Sequence, residues 1–304
     1  MNDISIKIVV IGANSYIARN LLRFLDSSKY ILYLYDRDDY QFDGYENYKK
    51  IDLLSKTSLD SIVFDCDLIF LFSGRTGTSQ GFDDYESFID VNEKFLLNLL
   101  TIYRQKKSNA KIILPSTRLL YQGSNHRLVE NAPKEFKTIY ALNKFSCEQY
   151  LKMYHDMFGV RYSVFRICLP YGTAVANTNS YGTVEFFISR AVRGLDINIY
   201  GHGRQKRTFT HIDDLCCILL MGALEDRCEG EVFNIGGADE LSIEQVARQI
   251  AEKYNVSVNF VPWPEMAEKL ESGDTVFDSS KLDSILKYSY QRSFEEWISV
   301  LKPE

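Results

Sequence analysis

The six cysteines of this chain include no CxxC pair, and its four histidines are scattered without the spacing of metal ligands. That excludes the common zinc motifs and predicts no bound metal. With no cysteine framework, the expectation is buried free thiols in a reducing cytoplasm. No apolar run approaches the roughly 18 residues of a membrane span. The opening Met1-Asn-Asp-Ile-Ser5 is not a basic, apolar secretory leader. Positive charge is not in surplus either. Thirty-five Lys and Arg face 41 Asp and Glu, a net −6, which argues against bulk binding to nucleic acid or an anionic membrane. No repeat, low-complexity tract or long linker interrupts the 304 residues, so one large or two ordinary domains are expected. A hydrophobic content of 45% and a charged content of 25% are those of a soluble globular protein.

The most informative stretch is the first. Ile6 to Ile11 is almost all β-branched and runs into Gly12-Ala-Asn-Ser15-Tyr-Ile-Ala18, then Arg19 to Leu25. A strand that breaks at glycine and restarts as a helix aims several free backbone N–H groups at one spot. The helix dipole adds partial positive charge there, so the spot suits a pyrophosphate. Of the three glycines usual in such turns only Gly12 is present; Ser15 and Ala18 take the other places. A second strand, Tyr30 to Tyr35, ends in Asp36, 36 − 12 = 24 residues after Gly12. A carboxylate at that distance fits the acid that hydrogen-bonds an adenosine ribose, and it repels the 2′-phosphate of NADP. Asp36 therefore argues for NAD, with Arg37 as the residue that could cradle a 2′-phosphate instead.

Strand and helix signals alternate through the first half. Asp67 to Phe72 is a third apolar strand, and Val91 to Arg104 has helical periodicity. Lys111 to Leu114 is a strand ended by Pro115-Ser-Thr117, a long helix covers about Tyr140 to Phe158, and Tyr162 to Ile167 is the next strand. Such alternation predicts an α/β fold, a Rossmann-type doubly wound parallel sheet covered on both faces. Ligand-binding residues then lie at the C-terminal ends of its strands. From Tyr171 the texture changes. Gly172 to Gly182 reads as a small, polar loop, Val184 to Arg193 as a helix, and Ile197 to Tyr200 as a short strand before Gly201-His-Gly203. The expected organisation is a dinucleotide-binding domain over 1–172. A smaller C-terminal α/β substrate-binding lobe follows over 173–304, with segments at about 208–240 returning to the first domain.

Tyr140 and Lys144 are the candidate catalytic pair. Their i,i+4 spacing puts both on one helical face. A free tyrosine ionises near pH 10, too high for a base at neutral pH, and an adjacent ammonium and a positive nicotinamide would lower that value. The spacing recurs at Tyr45/Lys49 and Tyr103/Lys107; what selects Tyr140 is that it opens a helix and follows a strand end carrying hydroxyls. Those hydroxyls are Thr117, which could hydrogen-bond the same substrate oxygen or cap a turn, and Ser116, which could substitute for it.

These segments resemble the extended short-chain dehydrogenase/reductase family, the branch of sugar-nucleotide epimerases and dehydratases that includes UDP-galactose 4-epimerase. The resemblance rests on Gly12 to Ala18, Asp36, Ser116-Thr117 with Tyr121 four residues on, and Tyr140/Lys144. It continues in Arg166-Ile-Cys-Leu-Pro-Tyr-Gly172, Tyr200 to Asp214, Phe233-Asn-Ile-Gly-Gly237 and Asp278-Ser-Ser-Lys-Leu282, collinear over nearly the whole chain. It implies a triad of Thr117, Tyr140 and Lys144. It implies NAD contacts from Gly12, Ser15, Tyr16, Ile17, Asp36, Asp52, Leu53, Phe72, Ser73, Gly74 and Asn92, besides Tyr140 and Lys144. It places Ser116 and Thr117 at the substrate and gives Arg207 the diphosphate of a nucleoside-diphosphate sugar, for which a guanidinium fork is suited. It also implies a homodimer through helices at about 91–104 and 140–158, and a role in surface-glycan synthesis.

Departures from the family pattern narrow the chemistry. The Asp-Glu pair that follows the catalytic Thr in 4,6-dehydratases is Arg118-Leu119 here, and the Cys that 3,5-epimerising reductases use is absent at Leu119 as well. Leu169 stands for a family Asn, and Thr208 for an Asp. What remains needs only hydride transfer and one proton shuttle. The first expectation is an NAD-dependent sugar-nucleotide 4-epimerase. The second is an NAD(P)H-dependent 4-keto-6-deoxy-sugar nucleotide reductase. A third, an inactive nucleotide sensor, is disfavoured because Thr117, Tyr140 and Lys144 are all kept.

Overall fold

The computed structural model describes residues 5–172 and 182–301; most of the loop expected between Gly172 and Gly182 lies outside them. In chain order the strands are β1 (Ile6–Ile11), β2 (Tyr30–Asp36), β3 (Tyr48–Lys50), β4 (Leu68–Leu71), β5 (Lys111–Thr117), β6 (Tyr162–Ile167), β7 (Leu169–Tyr171), β8 (Ile197–Tyr200), β9 (Lys206–His211), β10 (Glu231–Asn234), β11 (Asp239–Ser242) and β12 (Val258–Val261).

Seven of them form one sheet in the order β3-β2-β1-β4-β5-β6-β10, every neighbour parallel. The chain runs outward from β1 to β3, then returns to β4 on the other side of β1. That reversal is the switch point beside which a doubly wound sheet opens its ligand crevice. The β-branched run of β1 is buried on both faces, as a central parallel strand requires. Ile8 and Val10 enter one core with the helices Tyr16–Leu22, Ile212–Leu224 and Ser280–Leu286. Val9 and Ile11 enter the opposite core with Phe95–Gln105 and Ile139–Phe158. A third core joins the helices Thr183–Ala191, Ile243–Tyr254 and Phe294–Val300 over the smaller sheets β11-β9-β7 and β12-β8. Strand β10 and helix Ile212–Leu224 belong to the large sheet and its core although they follow β8 and β9 in sequence.

Two elements differ from the sequence reading. Pro115 does not end its strand: β5 continues through Thr117. Beyond Ile113 it is paired with β6 only, because β4 stops at Leu71. The proline therefore sits where one side of the ladder has no neighbour to bond. The segment before Phe95 winds as a π-helix over Asp90–Lys94, a form that hydrophobic periodicity does not signal.

Candidate active site

The turn after β1 is built by backbone contact. Gly12 has φ of +91°, and a Cβ there would lie 2.3 Å from the Ser73 amide nitrogen, so only glycine lets the ends of β1 and β4 cross. The Gly12 and Ala13 amides donate to the Tyr35 carbonyl at 2.8 and 3.1 Å. Asn14, unnoticed in the sequence, is buried. Its amide donates to Asp36 Oδ2 at 2.8 Å, and its side chain bonds the main chain of Tyr40 and Phe42. Asp36 also accepts from the Arg37 amide at 2.7 Å, so its carboxylate is aimed by two N–H groups while burial raises its pKa. The side chain of Arg37 is exposed. Ser15 caps the helix, its Oγ accepting from the Ala18 amide. The first amides of that helix, those of Tyr16 and Ile17, have no acceptor within it.

The loop after β4 crosses the same point. The Phe72 and Ser73 amides both donate to the Ile11 carbonyl, and the Phe72 ring stacks on Phe70. Asn92 holds this loop from the π-helix, donating to the Arg75 carbonyl at 3.0 Å and accepting from the Arg75 amide at 2.9 Å. A Cβ on Gly74 would sit 3.1 Å from the Asn92 Oδ1. Asp52 and Leu53 follow β3, with Asp52 exposed and Leu53 packed on the core beneath.

Thr117 ends β5, and its Oγ1 accepts from the Leu119 amide at 3.2 Å, so the turn-capping reading of this hydroxyl holds. Tyr140 lies in the first turn of helix Ile139–Phe158, which Thr138 caps and which packs on β5. Lys144, one turn further on, is buried. Among the described residues its ammonium has no hydrogen-bond partner. It lines a small cavity with Ser73, Asn92 and Cys147, and there the Ser73 Oγ is buried without a partner too. A buried hydroxyl without a partner is costly unless a ligand completes it, and the ammonium faces the same space. Burial pushes the Tyr140 phenol up to about 12 and the Lys144 ammonium down; the expected lowering of the phenol belongs to the state with a positive nicotinamide beside the pair.

Seven parallel strands with a glycine turn at the switch point, an acid after β2 and a Thr-Tyr-Lys set beside it match one known group throughout. The model of the NAD dependent epimerase/dehydratase family fits residues 8–236, more than half of the chain. The chain belongs to the NAD-dependent epimerase/dehydratase family. A UDP-N-acetyl-alpha-D-glucosaminuronate decarboxylase of Bacillus cytotoxicus is 27% identical over 220 residues, 70% of this chain and 67% of that protein. A CDP-paratose 2-epimerase of Salmonella typhi is 24% identical over 96% of this chain and 97% of its own length. Among solved structures, the Thermus thermophilus UDP-glucose 4-epimerase complex with NAD superposes with a TM-score of 0.85 at 19% identity, covering 96% of both chains. At that identity the likeness speaks for the fold.

Two residues expected at the substrate by resemblance to the family are engaged elsewhere. Ser116, one residue before Thr117 on the opposite strand face, donates to the buried Glu148. Glu148 is paired through both oxygens with Arg166, which also donates to the Tyr121 hydroxyl at 2.6 Å. The helical signal for Glu148 was available, since it falls one turn after Lys144 on the same face. Arg207 is only 2% exposed. Its Nη1 donates to the carbonyls of Lys206 and Gly273 and its Nη2 to Glu271, while Nε is buried without a partner. Nothing local predicts this, because Glu271 is 64 residues away in sequence. Among the described residues no group of acidic, histidine and cysteine side chains could hold a metal, all six cysteines are free, and no helix is long and apolar enough to cross a membrane.

Proposed function

We propose that this protein is an NAD-dependent 4-epimerase of a nucleoside-diphosphate hexose. One observation carries the reading: Thr117 is followed by Arg118-Leu119-Leu120, and none of these can exchange a proton at neutral pH. The second acid or base that dehydration requires is therefore missing at that position, and chemistry at a single carbon remains.

The donor set suits the dinucleotide. The Gly12 turn and the amides of Tyr16 and Ile17 offer N–H groups to a pyrophosphate, and Asp36 is aimed by two amides to accept from a ribose diol. Lys144 and Ser73 line one small cavity, where an ammonium and a hydroxyl without a partner could meet the second ribose. When bound, NAD supplies reversible hydride acceptance. The chain supplies the rest. Tyr140 removes the proton from the C4 hydroxyl and returns it after the sugar has turned. Thr117 holds the same oxygen with its hydroxyl hydrogen, its lone pair being taken by the Leu119 amide. The ammonium of Lys144 and the charge of a bound nicotinamide would together favour the phenolate.

Purified protein given NAD and a panel of nucleotide hexoses is expected to interconvert one C4 pair with no net change in absorbance at 340 nm. Tyr140→Phe is expected to lower turnover by roughly 10²- to 10⁴-fold with NAD retained; near-normal turnover rejects the assignment. The exposed Arg37 beside Asp36 favours a second reading, an NAD(P)H-dependent 4-ketoreductase. That enzyme consumes one reduced cofactor per sugar, and the same absorbance trace separates the two.

A further inference from the structure

The position after the proposed catalytic threonine carries a cation to which no carboxylate is hydrogen-bonded among the described residues, Glu271 acting on it only from a distance. Arg118 begins the short turn at the C-terminal edge of the large sheet. Its side chain reaches toward the second lobe, where its one hydrogen bond among the described residues is from Nη1 to the Thr275 Oγ1, at 3.4 Å. Thr275 is fully buried and pairs through a β-bridge with Arg207. The guanidinium therefore lies in the seam between the sheet edge and the lobe above it.

The other charges of that seam are already matched. Arg207 is closed by Glu271 and two carbonyls, and its free Nε is buried. Cys168 donates its thiol hydrogen to the Thr275 carbonyl at 3.3 Å and is held neutral by a pKa that burial raises. Arg118, Arg207 and Glu271 together leave one positive charge uncompensated, in a chain whose net charge is −6. Burial, with Arg207 adding to it, depresses the Arg118 pKa to about 10, so the charge is kept at neutral pH at a cost. An unpaired guanidinium in such a place is stabilised by an anion that brings oxygen acceptors to its fork.

We propose that Arg118 is the residue that binds an oxyanion of the substrate, doing the task for which the enclosed Arg207 has too few free donors. This rests on the nucleotide-sugar reading above and deepens it. Such a substrate can supply the oxyanion from two sources, its diphosphate or a carboxylate on the hexose ring. Both present paired oxygens to a planar fork.

Binding separates them without requiring turnover. With NAD present, UDP, UDP-glucose and UDP-glucuronate are titrated by calorimetry into the wild type, Arg118→Gln and Arg118→Lys, and each protein is melted alone. Arg118→Gln is expected to weaken binding by about tenfold or more and Arg118→Lys by less. The melting temperature of Arg118→Gln is expected to stay level or rise, because a half-buried cation without a carboxylate on its fork is removed. A loss common to all three ligands assigns the diphosphate; a loss confined to UDP-glucuronate assigns the ring carboxylate. Unchanged affinity for all three, or binding of none of them by the wild type, overturns the proposal. So does a fall in melting temperature that accompanies the loss in both variants, which would mark a structural role. If binding depends on Arg118 yet no sugar is interconverted, the epimerase reading fails and this one stands; if turnover survives with Arg118→Gln unaffected, the reverse holds.

Discussion

At the residue scale the decisive group is a phenol that is a poor base when the protein is alone. Burial pushes its pKa up to about 12, so the Tyr140 phenol keeps its proton at neutral pH in the protein alone. Lys144 does not correct this, since the same burial that raises the phenol disfavours the ammonium. A positive ring would favour the phenolate and ribose hydroxyls would accept from the ammonium, so the pair is built to become active on loading. The base form does the work, so kcat/KM is expected to rise with pH and level once the phenol of the loaded enzyme is ionised. Tyr140→Phe should remove that rising limb, and a profile that falls with pH would reject Tyr140 as the base. Lys144→Met makes a complementary case. It removes an ammonium that burial disfavours and that has no hydrogen-bond partner among the described residues, so its melting temperature is expected to match or exceed that of the wild type, while turnover drops by at least about 10²-fold. Thermal melts beside steady-state rates check both halves.

At the element scale, the C-terminal end of β5 is fixed by charge placed behind it. Ser116, Glu148, Arg166 and Tyr121 form a buried chain of hydrogen bonds that joins β5, helix Ile139–Phe158 and β6. Replacing both ions by apolar groups could be neutral, but removing one leaves the other uncompensated at about 3–5 kcal/mol. Glu148→Gln is therefore expected to lower unfolding free energy by roughly 3 kcal/mol with an unchanged denaturant slope, measured in urea; a loss under about 1 kcal/mol would show that the strand end is held by packing instead. Little of this network was legible. Strand β1, its glycine turn, Asp36 and the Tyr140 helix were legible because each is fixed by neighbours a few residues away, through β-branched runs, caps and 3.6-residue periodicity. Pro115 misled because its tolerance depends on where β4 stops, and the π-helix around Asn92 has no pattern of its own. The confinement of Ser116 and Arg207 depends on Glu148 and Glu271, partners set by the tertiary fold, so a motif places those residues at the site without telling which way they point.

At the scale of the whole molecule, one of the two helices expected to meet a second copy, Ile139–Phe158, leaves apolar surface uncovered. Along Ile139–Phe158, Leu142, Met153 and Met157 are 45%, 49% and 69% exposed. At 3.6 residues per turn they fall within roughly 60° of one another, so they form a stripe rather than scattered exceptions. Ile89 and Tyr85, which precede the π-helix on the neighbouring segment, are likewise exposed. A single exposed methionine needs no account, but an aligned stripe on the helix that carries Tyr140 and Lys144 would couple site geometry to association. The protein is expected to run as a dimer of its 35.1 kDa chain in light scattering, and Leu142→Glu combined with Met153→Glu to run at the single-chain mass. These side chains point away from the cores, so the variant should keep its circular dichroism. Any loss of turnover in it would then report the cost of separating two Tyr140 helices. A wild type that scatters at 35.1 kDa across the micromolar range would remove both the interface and that coupling.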